Sequence, residues 1–277
     1  MQTTDQAFLL DDFDYIDFGC SKGGSLLYGR EVLGGNRGVG LDISSDKVKR
    51  TQQSGFAAIE MDVTDLSMTP NCTQFVTMID FLEHLPNITE AEKCIQAACE
   101  AATDFVFIRQ PWFDSDGYLF KNGLKLYWSD WTVHPNAMTS LELFAALRKL
   151  KQSSRWRMYA RSPISNSVHE AVHPLSSDPD QHAYDPAVHP EKLILNFNEP
   201  VFSQIGAIIL LKDDPDLLFE IEAKTKWSTV LYDSSYGVDF ATNAQKRALN
   251  GFEARYYFAR VVSAMRRKLF NIARLMK

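Results

Sequence analysis

Short apolar runs alternate along the chain with stretches whose apolar positions recur every three or four residues. Tyr15–Phe18 reads as a short buried strand. Gly23–Leu33 reads as a helix, stopped by Gly34-Gly35, because glycine accepts the left-handed conformation that ends helices. Gly38–Ile43 is a second strand, followed by a helix capped by Ser44 or Ser45 that runs to about Ser54. Phe56–Met61 and Phe75–Ile79 are the third and fourth strands. Thr89-Glu-Ala-Glu92 spells a capping box for a helix to about Ala102. Phe105–Ile108 is a fifth strand. Thr139-Ser-Leu-Glu142 is a second capping box, for a helix to about Lys149, and Trp156–Ala160 and Ile205–Leu211 complete seven strands.

Strands that alternate with helices imply parallel pairing through right-handed crossovers. The expected fold class is therefore α/β: a doubly wound, mostly parallel seven-stranded sheet. Ligands of such sheets bind beyond the carboxyl ends of the strands, where the strand order reverses. Two stretches break the alternation. Residues 111–137 are aromatic-rich (Trp112, Phe113, Tyr118, Phe120, Tyr127, Trp128, Trp131), and 163–204 hold four of the six histidines. Loops this long inside a compact domain serve as lids or binding elements.

Composition narrows the class. Apolar residues make up 45% and charged residues 23%, which is ordinary for a packed globular chain. The net charge of −6 hides an asymmetry. Residues 246–277 hold nine Lys/Arg against Glu253 alone, a local +8 that leaves the first 245 residues at −14. An acidic body argues against a nucleic-acid-coating protein. Cys20, Cys72, Cys94 and Cys99 have no metal-binding or disulfide-framework spacing, and no run reaches the ~18 apolar residues of a membrane span. The N-terminus lacks the pattern of a signal peptide, so the expected location is cytoplasmic.

Candidate chemistry sits at the strand ends. The first strand runs into Asp17-Phe-Gly-Cys-Ser-Lys-Gly-Gly24, where glycines permit a tight turn and bring a helix N-terminus toward a ligand. Asp42 ends the second strand, 23 residues after Gly19, a spacing that suits a carboxylate accepting ribose hydroxyls. Asp62 closes the third strand. The fourth runs into Asp80-Phe-Leu-Glu-His-Leu-Pro86. Four acidic strand ends in a row point to a site rather than to packing.

On these residues the chain resembles the class I S-adenosylmethionine-dependent methyltransferases, in their small-molecule branch. Asp17, Gly19, Ser21 and Gly23 match the family's D-x-G-x-G-x-G loop, and Phe81–Pro86 looks like its LEHLP continuation. The resemblance implies S-adenosylmethionine as cofactor. It implies cofactor contacts from Asp17, Gly19, Cys20, Ser21, Gly23, Asp42, Ile43, Asp62, Val63, Asp80 and Phe81. Asp42 would take the ribose, Asp62 and Val63 the adenine, and Asp80-Phe81 the methionine moiety. Ser21 replaces the middle glycine, which is a departure from the pattern. The chain also begins almost at the first strand, so 111–137 or 163–204 is expected to do the covering work of the helix that usually precedes it. A nicotinamide enzyme is the rival within the fold, but Ser21 removes the glycine that admits a pyrophosphate. A non-catalytic protein that binds the cofactor or its product is a second alternative.

Methyl transfer needs in-line alignment, exclusion of water and, for an oxygen acceptor, removal of a proton. His84 and His134 are the candidate bases, and Gln110 and Trp112 are expected to border the acceptor pocket. The expected acceptor is a small molecule, sugar or lipid-linked glycan, modified at oxygen. No metal is expected. His169-Glu-Ala-Val-His173 spells a zinc-protease motif, but Pro174 follows at once and leaves no room for the long helix that motif needs.

The expected domains are 1–215 for the methyltransferase and 216–277 for a helical C-terminal extension. In the latter, Phe258, Val261, Val262, Met265, Leu269, Ile272 and Met276 form one helical stripe, with Arg260, Arg267 and Arg274 opposite. Three readings stay open for the stripe. It packs on the protein's own body, forms a homodimer seam, or makes peripheral contact with the anionic inner face of a membrane.

Overall fold

The structure, a computed structural model, describes residues 10, 12–63, 70–151, 153, 155–235 and 238–239. The chain divides into two compact units, Met1–Gly237 and Val238–Lys277. In the second, the one described element is the two-residue strand Val238–Asp239. The basic stripe of 258–276 lies outside the described residues. The first unit carries the sheet and the helices that flank it.

Its strands are β1 (Tyr15–Phe18), β2 (Gly38–Asp42), β3 (Ala57–Glu60), β4 (Thr73–Ile79), β5 (Ala102–Pro111), β6 (Leu124–Leu126), β7 (Arg155–Pro163), β8 (Val172–Pro174), β9 (Phe202–Leu210) and β10 (Thr229–Asp233). Eight of them form one sheet in the order β3-β2-β1-β4-β5-β9-β7-β10. β1 pairs in parallel with β2 and β4, β2 with β3, and β4 with β5. β9 is antiparallel to both β5 and β7, so β7 runs with the parallel set. All seven strands read from the sequence form. The eighth, β10, pairs antiparallel to β7 and extends the sheet past residue 215, where the domain was expected to end.

The helices are α1 (Gly24–Tyr28), which continues as a π turn over Gly29–Leu33, α2 (Ser45–Gln53), α3 (Ile88–Ala101), α4 (Asp116–Lys121), α5 (Ser140–Leu147) and α6 (Pro215–Thr225). Strand side chains alternate between faces, and this divides the core in two. Ile16, Phe18, Val76, Met78, Val106 and Ile108 pack with α3 and α5. Tyr15, Phe75, Phe105 and Phe107 face the other way, against α1, α2 and α6. Tyr15, Phe75 and Phe105 stack across β1, β4 and β5 with centroids 4.9 and 4.7 Å apart.

Thr139 caps α5 through the expected capping box. The start of α3 differs. Asn87 is its cap, accepting from the amides of Thr89 and Glu90 at 3.0 and 3.1 Å, so the helix begins ahead of the Thr89–Glu92 box. An asparagine two residues upstream bonds two otherwise orphaned amides and is the stronger signal.

The two long insertions join. β6 and β8 pair antiparallel, the Tyr127 amide donates to the Ala171 carbonyl at 3.0 Å, and the Trp131 indole donates to the Gln181 carbonyl at 2.6 Å. They form one cap rather than two separate loops. Among the described residues no helix is long and apolar enough to cross a membrane.

Candidate functional site

Chain order runs one way from β1 to β2 and β3 and the other way from β4 to β5, so a crevice opens at the carboxyl ends of β1 and β4. The loop after β1 enters it. Gly19 has φ +76°, and a Cβ there would lie 2.4 Å from the Phe81 ring, so only glycine fits beside the loop after β4. Ser21 is also left-handed, at φ 51°. Gly24 opens α1, and a Cβ built on it meets nothing within 4 Å, so the helix start faces open space.

Asp17 is fully buried. Its carboxylate accepts from the Thr77 hydroxyl at 2.5 Å and from the Ser25 hydroxyl. Burial pushes its pKa up to about 7, against the lowering effect of those two hydrogen bonds. Asp42 accepts the Ser21 amide on one oxygen at 3.1 Å and the Ser44 amide on the other at 3.0 Å. A carboxylate offers about four lone-pair positions, so two remain. Ile43, beside it, is 70% exposed, an apolar side chain at the crevice rim. Asp62 is exposed and Val63 buried. The Cys20 side chain is buried against Gly40, and burial raises its thiol to about 11.

Asp80 is left-handed at φ 50°, and its carboxylate lies 3.7 Å from the Arg109 guanidinium. The chain then makes a 3-10 turn over Leu82–His84. That turn is pinned to the first insertion by three hydrogen bonds. The Asn136 side chain donates to the Leu82 carbonyl at 2.9 Å, and its amide donates to the Glu83 carbonyl at 3.2 Å. His84 Nδ1 lies 2.7 Å from the Val133 carbonyl. His134 Nδ1 lies 3.0 Å from the Trp128 carbonyl, and the two imidazole centroids are 5.0 Å apart. A carbonyl only accepts, so each Nδ1 carries a proton and Nε2 is the ring nitrogen left to meet a ligand. Trp131 and Phe113 flank His134 at 5.0 and 6.2 Å, and burial lowers its pKa.

The two candidate bases, far apart in sequence, thus meet beside the crevice. Glu83 joins them. It is 1% exposed, and burial, reinforced by Asp80, raises its pKa well above the carboxylate range. Gln110 and Trp112 are also buried. Gln110 donates to the Met138 carbonyl at 2.9 Å, and the Trp112 ring packs edge-on against Phe202. They underlie the cap rather than face solvent. The residues of the zinc-protease motif are not on a helix. His169 sits in a turn with Nδ1 accepting the Ala171 amide, and His173 lies on β8, fully buried. Glu83 and Asn136 were given no role from sequence, although Glu83 stands inside the LEHLP run.

Residues 16–101 match the family described as "Methyltransferase domain". Curated proteins give no match. Among solved structures the chain is similar to a methyltransferase from Thermotoga maritima described as a possible histamine N-methyltransferase, at 11% identity over 75% of this chain and 94% of that one, with a TM-score of 0.45. It is similar to an S-adenosylmethionine-dependent methyltransferase from Archaeoglobus fulgidus, at 15% identity over 71% and 85%, TM-score 0.47. It is also similar to magnesium protoporphyrin IX methyltransferase from Synechocystis PCC 6803, at 17% identity over 75% and 81%, TM-score 0.41. The glycine loop and the acidic strand ends fall almost wholly within residues 16–101, the stretch that matches the methyltransferase domain.

Proposed function

We propose that the chain methylates an oxygen of a small-molecule, sugar or lipid-linked glycan acceptor held between the crevice and the cap. The observation that carries this reading is the pair of Nε2 atoms left to meet a ligand on His84 and His134, brought together at the crevice edge under an aromatic wall.

The cofactor supplies an electrophilic methyl group on a cationic sulfonium. The chain's own residues do the rest. Asp42 would hold the ribose through its remaining lone pairs, and Ile43, Asp62 and Val63 would hold the adenine. The loop from Gly19 to Gly23, with Asp17 and Cys20 beneath it, shapes the backbone around the methionine moiety. Asp80 and Phe81 close it from β4. His84 and His134 take up the acceptor proton, because a neutral imidazole with its Nδ1 proton committed elsewhere has one basic nitrogen left. The cap of 111–137 and 163–204 keeps water from the reacting atoms and selects the acceptor, with Gln110 and Trp112 as its buried floor.

Calorimetry with S-adenosylmethionine and S-adenosylhomocysteine tests the first part. Both are expected to bind with 1:1 stoichiometry, and Asp42→Ala is expected to weaken both by about 2 kcal/mol, the scale of hydrogen bonds to a charged group. Absence of binding by either ligand would refute the reading. Binding without methylated product across a panel of hydroxylated acceptors would favour a non-catalytic, cofactor-binding partner protein instead.

A further inference from the structure

We propose that Glu83, His84 and His134 form a binding site for a divalent transition-metal cation. One ligand-capable atom of each lies within 4.8 Å of the other two. Two imidazoles and one carboxylate suit zinc, iron, manganese or cobalt better than magnesium or calcium, which favour all-oxygen sets.

Three further observations point to a ligand rather than to a chance cluster. First, both histidines are arranged as metal-binding histidines are. Each Nδ1–H donates to a backbone carbonyl, of Val133 or Trp128, and this fixes the ring and presents Nε2. Second, Glu83 Oε2 is buried without a hydrogen-bond partner. Among the described residues no Lys or Arg forms an ion pair with Glu83, and the nearby Arg109 pairs with Asp80. An uncompensated buried carboxylate is costly, and a bound cation removes that cost. Third, the halves of the site come from segments about 50 residues apart, held in register by both Asn136 hydrogen bonds. Metal affinity depends on such preorganisation. His84 is exposed, so one side stays open for a cation and for further ligands.

This site deepens the proposed oxygen methylation and rests on it for its role. A hydroxyl filling an open coordination position becomes more acidic. With both Nε2 lone pairs on the cation, His84 and His134 no longer act as bases in the loaded site, so the proton leaves to solvent, an oxygen lone pair forms the new C–O bond, and the S–CH3 bond breaks with its electron pair retained by sulfur. The products are a methyl ether, S-adenosylhomocysteine and one proton.

The test uses full-length protein, stripped by chelator and titrated with Co2+ alone. The expected result is one saturable equivalent with visible d–d absorption, displaced by Zn2+. His84→Gln, His134→Gln and Glu83→Gln are each expected to weaken binding at least about tenfold, and His169→Gln to leave it unchanged. His84 is exposed, so His84→Gln keeps its circular dichroism spectrum and carries the test even where Glu83→Gln fails to fold. No saturable Co2+ binding would overturn the proposal. So would binding that survives His84→Gln, or binding that is lost in His169→Gln. The titration contains no methyl donor, so its failure is separate from failure of the calorimetry with S-adenosylhomocysteine.

Discussion

Asp17 holds a carboxyl where no water reaches it, and this makes the crevice sensitive to pH. Its folded pKa of about 7 lies above the ordinary value of 3.8 because burial disfavours the charge. The unfolded chain therefore releases the proton first. The contribution of Asp17 to stability is fully present below about pH 4 and is lost as pH rises toward 7. Asp116, raised by burial to about 6, slopes the same way, so the difference between wild type and Asp17→Asn isolates the effect. That difference is expected to fall by roughly 2–4 kcal/mol between pH 4.5 and 7.5 in urea unfolding. A flat difference would show that Asp17 is not the titrating group. Two neighbours in the same loop predict opposite signs. Gly19→Ala places a Cβ against Phe81 at a left-handed φ and is expected to cost about 2 kcal/mol or more. Ser21→Gly relieves the φ of 51° and is expected to be neutral or to stabilise by up to about 1 kcal/mol. Thermal unfolding of both variants measures the contrast.

The late strand β10 is held by buried charge as well as by aromatic contact, its Tyr232 stacking on Trp156 at 4.8 Å. Arg157, 1% exposed, donates to Asp233 on β10 and to Glu222 on α6, and Arg155 donates to Asp233 at 2.6 Å. Burial alone would raise the Asp233 carboxyl, but the Arg155 hydrogen bond and the Arg157 charge hold it below its ordinary value. Asp233→Asn leaves a buried guanidinium under-compensated and is expected to cost about 3–5 kcal/mol, read as a shift of the urea midpoint. This explains why β10 escaped the sequence reading. Thr-Val-Leu-Tyr-Asp is too short to show periodicity, and the arginines that hold Asp233 lie 78 and 76 residues away. The parallel strands were legible because each is a continuous apolar run bounded by glycine or an acid. Their ends, Asp17, Asp42, Asp62 and Asp80, were legible for the same reason, since a charge directly after a buried run has few structural explanations. Glu83 and Asn136 were not, because a buried polar residue in a loop has no periodicity and its meaning depends on a partner brought from another segment. Asn87 illustrates the same limit at a helix start, where the Thr89–Glu92 box was read and the asparagine that caps the helix was not.

At the scale of the first unit, the insertions behave as a second layer over the carboxyl-terminal edge of the sheet, with a lock of their own. Lys125 on β6 is 7% exposed, and its ammonium donates to Asp130 and, at 2.6 Å, to the Ser177 carbonyl just beyond β8. One side chain thereby ties the aromatic insertion to the histidine-rich one. The crevice at the ends of β1 to β4, by contrast, draws nothing from Lys125. Lys125→Met keeps the stem's apolar contacts and removes the charged hydrogen bonds, at a local cost of roughly 2–3 kcal/mol. The expected outcome divides by region. Amide exchange should accelerate in 124–131 and 172–181 and stay slow in β1, β4 and β5, because local opening follows local stability. Affinity for S-adenosylhomocysteine should be unchanged within twofold, and turnover of an acceptor should fall at least about tenfold as water enters and alignment loosens. Exchange that accelerates equally in β4 and β5 would mean that the cap and the sheet open as one body. The insertions would then stabilise the fold, and the choice of acceptor would rest with the crevice alone.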